Sequence, residues 1–200
     1  MKRLSASVLV LAWFAAPAGV DYDTGSGADA HKLAIIYGYG AKDYKETLRR
    51  FRRAAEQGNV TAQLELGLLY DKGTGVPQDH KEAARWYRMA AENGDATAQF
   101  NLGLLFFKGE GVRQDDQEAV HWFRQAAEQN HTSAQYNLAY MYYFGRGVLQ
   151  DSVQAHMWLD LAARHGEKKP STVRDLIALF LSQAQIAEAQ RLAREWRPKK

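Results

Sequence analysis

The chain has 200 residues, 46% of them hydrophobic and 24% charged, with a formal net charge of +3. That length suits one core or one continuous stack, and nothing in the composition points to disorder. The absence of cysteine excludes a disulfide framework, a thiol nucleophile and thiolate metal ligation.

Met1-Lys2-Arg3 is a short basic start, Leu4 to Ala16 is an uncharged apolar run, and Ala16-Pro17-Ala18 puts small residues at the two positions a signal peptidase reads. Residues 1–18 therefore read as a signal peptide cleaved after Ala18, followed by a linker at 19–28. The apolar run is shorter than the roughly 18 to 20 residues needed to span a bilayer, and no cysteine follows it for lipid attachment. The expectation is export without stable membrane insertion, to the periplasm, with secretion as the alternative. Losing Lys2 and Arg3 takes the 26 basic residues to 24 against 23 acidic, a net +1. So even a balance gives no argument for a nucleic-acid partner, and the Arg191 to Lys200 end reads as a solvated basic tail.

Beyond the linker a period of 36 governs the chain. Ala62, Ala98 and Ala134 obey it, as do Gln63, Gln99 and Gln135, and Leu66, Leu102 and Leu138. Tyr70, Phe106 and Tyr142 follow, then two glycines (Gly73, Gly109 and Gly145; Gly75, Gly111 and Gly147), and then Asp79, Asp115 and Asp151. Trp86, Trp122 and Trp158 complete the pattern. A period of this length is the mark of a stacked-repeat architecture.

Each unit reads as two helices. In the first, Leu66 and Tyr70 stand four apart on one face, with Ala62 and Gly67 or Gly103 where a neighbouring backbone must come close. The Gly-x-Gly pair ends that helix. The second opens on a capping box, Asp79 with Glu82, Asp115 with Glu118 and Asp151 with Gln154, with Asp43 and Glu46 one period upstream. It turns Ala83 and Trp86 inward and closes at Gly94, Asn130 or Gly166. Such a unit cannot bury its apolar face alone, so units stack.

The segments AQLELGLLYDKGTGVPQDHKEAARWYRMAAENG, AQFNLGLLFFKGEGVRQDDQEAVHWFRQAAEQN and AQYNLAYMYYFGRGVLQDSVQAHMWLDLAARHG resemble the Sel-1-like repeats, relatives of the tetratricopeptide repeat. Ala139 in place of the helix glycine and Asn130 in place of the closing glycine are small departures. The expected architecture is all-α, an α-solenoid with a right-handed superhelix and a helical C-terminal cap. Its parts are a degenerate first hairpin at 29–58, repeats at 59–94, 95–130 and 131–166, and capping helices with the basic tail at 167–200. Ser182 and Gln185 form another capping box where the closing segment breaks into two helices.

Catalytic chemistry does not assemble from the sequence. The six histidines show no metal spacing, His156 with Asp160 at four residues being at best a half-site, and they read as exposed helix residues. The Gly-x-Gly-Val turns lack the Lys-Ser/Thr and the strand of a phosphate loop. No catalytic residue, metal or cofactor is expected.

The resemblance implies that the first helix of each unit lines a concave surface. Carried over by position, the stripe comprises Leu64, Leu68, Asp71 and Lys72, then Phe100, Leu104, Phe107 and Lys108, then Tyr136, Tyr140, Tyr143 and Phe144. An exposed aromatic patch of this kind is a binding surface. Gln63, Gln99 and Gln135 recur so strictly that a structural role is expected for them. The implied function is a non-catalytic adaptor or scaffold of the cell envelope that binds a protein or peptide segment. The rival reading is an envelope enzyme acting on β-lactam or peptidoglycan, as associated with cysteine-rich relatives, whose cysteines and Ser-x-x-Lys motif this chain lacks.

Overall fold

A computed structural model describes residues 44–165 and 168–199. The expected signal peptide and linker, the start of the opening hairpin with its Asp43 cap, and the Gly166 helix end lie outside the described residues. Among the described residues all regular structure is α-helical: α1 (Tyr44–Glu56), α2 (Val60–Lys72), α3 (His80–Glu92), α4 (Ala96–Lys108), α5 (Asp116–Glu128), α6 (Thr132–Phe144), α7 (Ser152–Ala163), α8 (Lys168–Ala178) and α9 (Gln183–Glu195). The chain forms two compact units, one ending at Trp122 and the other beginning at Phe123, with the boundary inside α5.

In the first unit α2 packs on α1 and α3, and α3 on α4. The core at its start is Ala55, Ala62, Leu66, Leu69 and Trp86, with Phe51, Tyr70, Val76 and Met89 against it. In the second, α7 packs against α6, α8 and α9, around buried Leu138, Met141, Leu159 and Ile177. Trp196, just past α9, meets Trp158 edge to face, with ring centroids 6.1 Å apart.

The 36-residue period reappears as repeated local hydrogen bonds. The side chains of Asn59, Asp95 and His131 each cap the first helix of a hairpin by accepting from the N–H three residues on, at Ala62, Ala98 and Ala134. That helix stops at Gly73, Gly109 or Gly145, where φ is 68°, 73° or 65°. A residue with a Cβ is strained there, and the left-handed turn returns an N–H to the last helical carbonyls. A second glutamine series serves the same end: Gln78, Gln114 and Gln150 donate to the carbonyls of Asp71, Phe107 and Tyr143.

The capping boxes at the second helices are only half built. Asp79 accepts from the N–H groups of Lys81 and Glu82, Asp115 from Gln117 and Glu118, and Asp151 from Val153 and Gln154. The return bond is absent because the cap's own N–H is already engaged. Asp79 donates to Tyr70, Asp115 to Phe106 and Asp151 to Tyr142, at 2.9 to 3.0 Å. Tying the two helices of a hairpin together thus replaces the box, and the acids at 82 and 118 are released for other contacts. Ser182 and Gln185, which have no preceding hairpin to satisfy, form the complete box.

The helix glycine also differs from expectation. A Cβ on Gly67 would meet the ring of Tyr87 at 2.4 Å, so it is a side chain of the partner helix and not a backbone that demands glycine there. In the third repeat the register sets Ala139 with Leu159 in place of Gly67 with Tyr87, both buried, and the smaller Leu159 leaves room for the methyl.

Candidate functional site

Two ladders hold successive hairpins together within each unit. Gln63, Gln99 and Gln135 are buried, and each donates its Nε2 to a carbonyl of the preceding hairpin's second helix: Ala55 at 3.0 Å, Ala91 at 3.1 Å and Ala127 at 3.3 Å. These glutamines therefore tie helix to helix. An arginine ladder lies beside them. Arg52 donates to the Tyr70 hydroxyl, Arg88 lies 5.6 Å over the Phe106 ring, and Arg124 donates to the Tyr142 hydroxyl at 3.1 Å. One period after Arg124 stands Asp160, which receives Arg174 at 3.0 Å and Arg164 at 3.4 Å. The charge at that position is inverted where the last hairpin meets the closing helices.

With those residues assigned to assembly, the expected binding stripe can be sorted by exposure. Leu68 is 7% exposed, Phe100 1% and Tyr143 9%, so these three are packing residues and a partner does not reach them. Periodicity placed them on the same helices as the stripe but one step too far toward the core. Leu64, Leu104 and Phe107 are half-buried, while Lys108 is exposed and pairs with Glu110 at 3.4 Å.

In the second unit, Tyr136, Tyr140 and Phe144 follow one another at four-residue intervals along α6, all half-buried. That spacing puts them on one face. Tyr140 and Phe144 have ring centroids 4.7 Å apart, and Tyr143 meets Phe144 edge to face at 4.9 Å. Lys169 of α8 holds its ammonium 5.1 Å over the Tyr136 ring, and burial pushes that lysine's pKa down. The result is a continuous aromatic face with a cation at one end. Such a face offers a partner wide contact area at little rotamer cost.

The histidines divide in a way sequence spacing does not show. His121 and His165 are exposed, but His80 holds Asp71 at 2.9 Å, His131 is a helix cap, and His156 is only 3% exposed. Burial lowers the pKa of His156, with Arg174 acting in the same direction and Asp160 and Asp175 opposing. His31 lies outside the described residues. Among the described residues no group of three or more metal-ligating side chains comes together. No described helix is long and apolar enough to cross a membrane. The basic end is not simply solvated: the N–H of Lys199 donates to the Glu128 carbonyl at 2.7 Å, and its ammonium pairs with the Glu128 carboxylate at 2.6 Å.

The Sel1 repeat model matches residues 28–59, 60–95, 96–131 and 132–167, well over half of the sequence. The chain belongs to the Sel1 repeat family. Among solved structures it is similar to a Sel1 repeat protein from Oxalobacter formigenes, at 40% identity and a TM-score of 0.66, covering 77% of this chain and 62% of that one. It is also similar to c5321, a protective antigen present in uropathogenic Escherichia coli strains displaying an SLR fold. There the identity is 32% and the TM-score 0.58, over 83% of this chain and 43% of that one. Helicobacter pylori cysteine rich protein B shares the fold at 22% identity and a TM-score of 0.52, over 68% of this chain and 98% of that one. The chain thus spans less than two thirds of the length of the first two. No curated protein matches. The fold class is an all-α helical-repeat solenoid, and the Sel1 repeat is commonly a non-catalytic protein-interaction scaffold.

Proposed function

We propose that this Sel1 repeat chain is a non-catalytic adaptor or scaffold of the bacterial cell envelope, and that it holds a protein or peptide segment against its first-helix face. The observation that carries the reading is the half-buried run of Tyr136, Tyr140 and Phe144 on α6. Three aromatic rings on one helix face are a costly surface to leave in water, and covering them with a partner releases that cost. In the first unit, Leu104, at the position matching Tyr140, and Phe107, at the position matching Tyr143, make a smaller apolar surface of their own on α4. The envelope location rests on the amino-terminal leader pattern of residues 1–18.

The test is an affinity capture from envelope extract with the mature chain, repeated with Tyr140→Ala and with Phe107→Ala. Loss of the same partner from the Tyr140→Ala capture supports the reading. A partner retained at full strength by both variants removes this face from the function.

A further inference from the structure

A cavity of about 540 Å³ opens in the first unit, and its wall includes Glu56, Tyr70, Pro77 and Trp86. The lining repeats with the period of 36. Two periods on, in the second unit, the same four positions hold Glu128, Tyr142, Leu149 and Trp158. There the chain itself lies across the site. Trp196 sets its ring against Trp158, with centroids 6.1 Å apart. Lys199 reaches Glu128 twice: its N–H donates to the carbonyl at 2.7 Å, and its ammonium pairs with the carboxylate at 2.6 Å. The first repeat thus shows the cleft open, and the third shows it filled.

The filling has the form of a bound peptide. Residues 196–199 leave α9 as an extended segment: Trp196 has φ −62° and ψ 140°, the polyproline II conformation. Pro198 restricts its own φ to about −65°, so little freedom is left to lose on docking. Arg197 and Pro198 are exposed, and the Arg197 guanidinium donates to the carbonyls of Arg194 and Trp196. The segment therefore meets the repeat through its first and last residues, an aromatic ring and a cation three apart, together with one main-chain hydrogen bond. Extended peptides are commonly recognised in this way, the main chain giving affinity and the side chains specificity. Trp196 is half-buried and the Lys199 side chain is exposed, so the segment lies on the surface and outside the core. Leu149, at the position Pro77 holds in the first cleft, is 90% exposed, which leaves apolar surface for a longer occupant.

We propose that the cleft between Glu128 and Trp158 is a docking site for an extended segment of a partner protein, one carrying tryptophan with lysine three residues on, and that residues 196–199 are its resident competitor. The partner's indole rests on Trp158, and its lysine takes the carbonyl and carboxylate of Glu128. The resident segment is tethered, so it competes at an effective concentration on the order of millimolar. It holds the cleft closed until a partner offers a longer segment that also covers Leu149.

The probe is the peptide Glu-Trp-Arg-Pro-Lys, labelled with fluorescein at its N-terminus and amidated at its C-terminus, and binding is followed by fluorescence anisotropy. The full chain carrying Trp196→Ala and Lys199→Ala should bind it saturably, and the wild type about tenfold more weakly, because its own segment competes. Lys199→Ala alone changes an exposed side chain and should fall between the two. Adding Glu128→Ala to the double variant should weaken binding about tenfold, as should alanine in place of the peptide's tryptophan or lysine. Helical content confirms that each chain is folded. No saturable binding to either released chain, equal binding by wild type and released chains, or equal binding of the alanine-substituted peptides each overturns the proposal.

Discussion

Gly67 on α2 faces Tyr87 on α3 so closely that a single added methyl would lie 2.4 Å from the ring. Tyr87 cannot yield easily, since it is fully buried and its hydroxyl lies 3.5 Å from the Asp71 carboxylate. Gly67→Ala should therefore destabilise the chain by about 1–3 kcal/mol, the usual cost of overpacking a core, despite alanine's better helix propensity. The third repeat supplies the rescue, because Ala139 there goes with Leu159. Tyr87→Leu placed on top of Gly67→Ala should recover part of the loss, giving a favourable coupling in a double-mutant cycle measured by urea unfolding. Strictly additive effects would show that the two side chains do not collide.

The glutamine ladder makes a second prediction about stability. Gln99 is 4% exposed and gives an amide proton to the Ala91 carbonyl at 3.1 Å. Gln99→Met keeps the volume but removes that bond; the Ala91 carbonyl still accepts from the N–H of Gly94 at 3.0 Å, so the cost is about 0.5–1.5 kcal/mol. Hydrogen exchange should rise in α3 and α4 together, because the bond joins two hairpins and is not internal to one. Unfolding by denaturant at unchanged midpoint would show the glutamine to be dispensable.

These two cases mark how far the sequence speaks. Gln63, Gln99 and Gln135 could be read as structural because the same packing problem, joining each first helix to the end of the previous hairpin, returns every 36 residues and is solved by the same side chain. The hairpins, their glycine stops and the closing break at Ser182 are legible for the same reason. The partners of Gly67 and the fate of the Asp79, Asp115 and Asp151 N–H groups are not. Those depend on a second helix, and a local motif such as the capping box describes only one. Exposure is the least legible property. Phe100 and Tyr136 occupy the same register position, yet Phe100 is buried and Tyr136 half-buried. Periodicity tells which residues share a face but not how much of it the neighbouring structure covers. The arginine ladder of Arg52, Arg88 and Arg124 was available in the period of 36 but is masked as a signal, since each arginine alone resembles an ordinary exposed helix cation.

His156 gives the chain a pH dependence. Burial in the folded state lowers its pKa from 6.5, so it stays neutral where the unfolded chain takes up a proton. The sign follows from linkage. Above about pH 6.5 both states are neutral at this residue and its contribution to stability is fully present; as the pH falls below that, the unfolded state gains protons and stability drops. Asp160 and Asp175 soften the effect and Arg174 strengthens it. His156→Leu removes the titration, so the stability of wild type relative to this variant should decline on going from about pH 7.5 to about pH 5, before most carboxylates protonate. Thermal unfolding of the two chains across that range measures it. Parallel curves would mean that His156 titrates alike in both states.

On α6 the geometry separates binding from folding. Tyr140 is half-buried and rests its ring 4.7 Å from Phe144, so removing it takes away contact surface while leaving the Leu138 and Met141 core beneath intact. Phe100 holds the same register position as Tyr136 but is buried at 1% exposure. If the aromatic face is where a partner lies, Tyr140→Ala should weaken binding about ten- to a hundredfold, the effect of a central aromatic anchor, with a much smaller change in unfolding free energy. Phe100→Ala should do the reverse: lose about 3–5 kcal/mol of stability, as for a large-to-small core change, and leave the affinity of the folded fraction nearly unchanged. Calorimetric titration of a captured partner against each variant, with denaturant unfolding alongside, gives both quantities. If Tyr140→Ala binds as tightly as wild type while Phe100→Ala loses affinity in proportion to its stability, binding follows only the integrity of the stack and the α6 aromatics have no direct part in it.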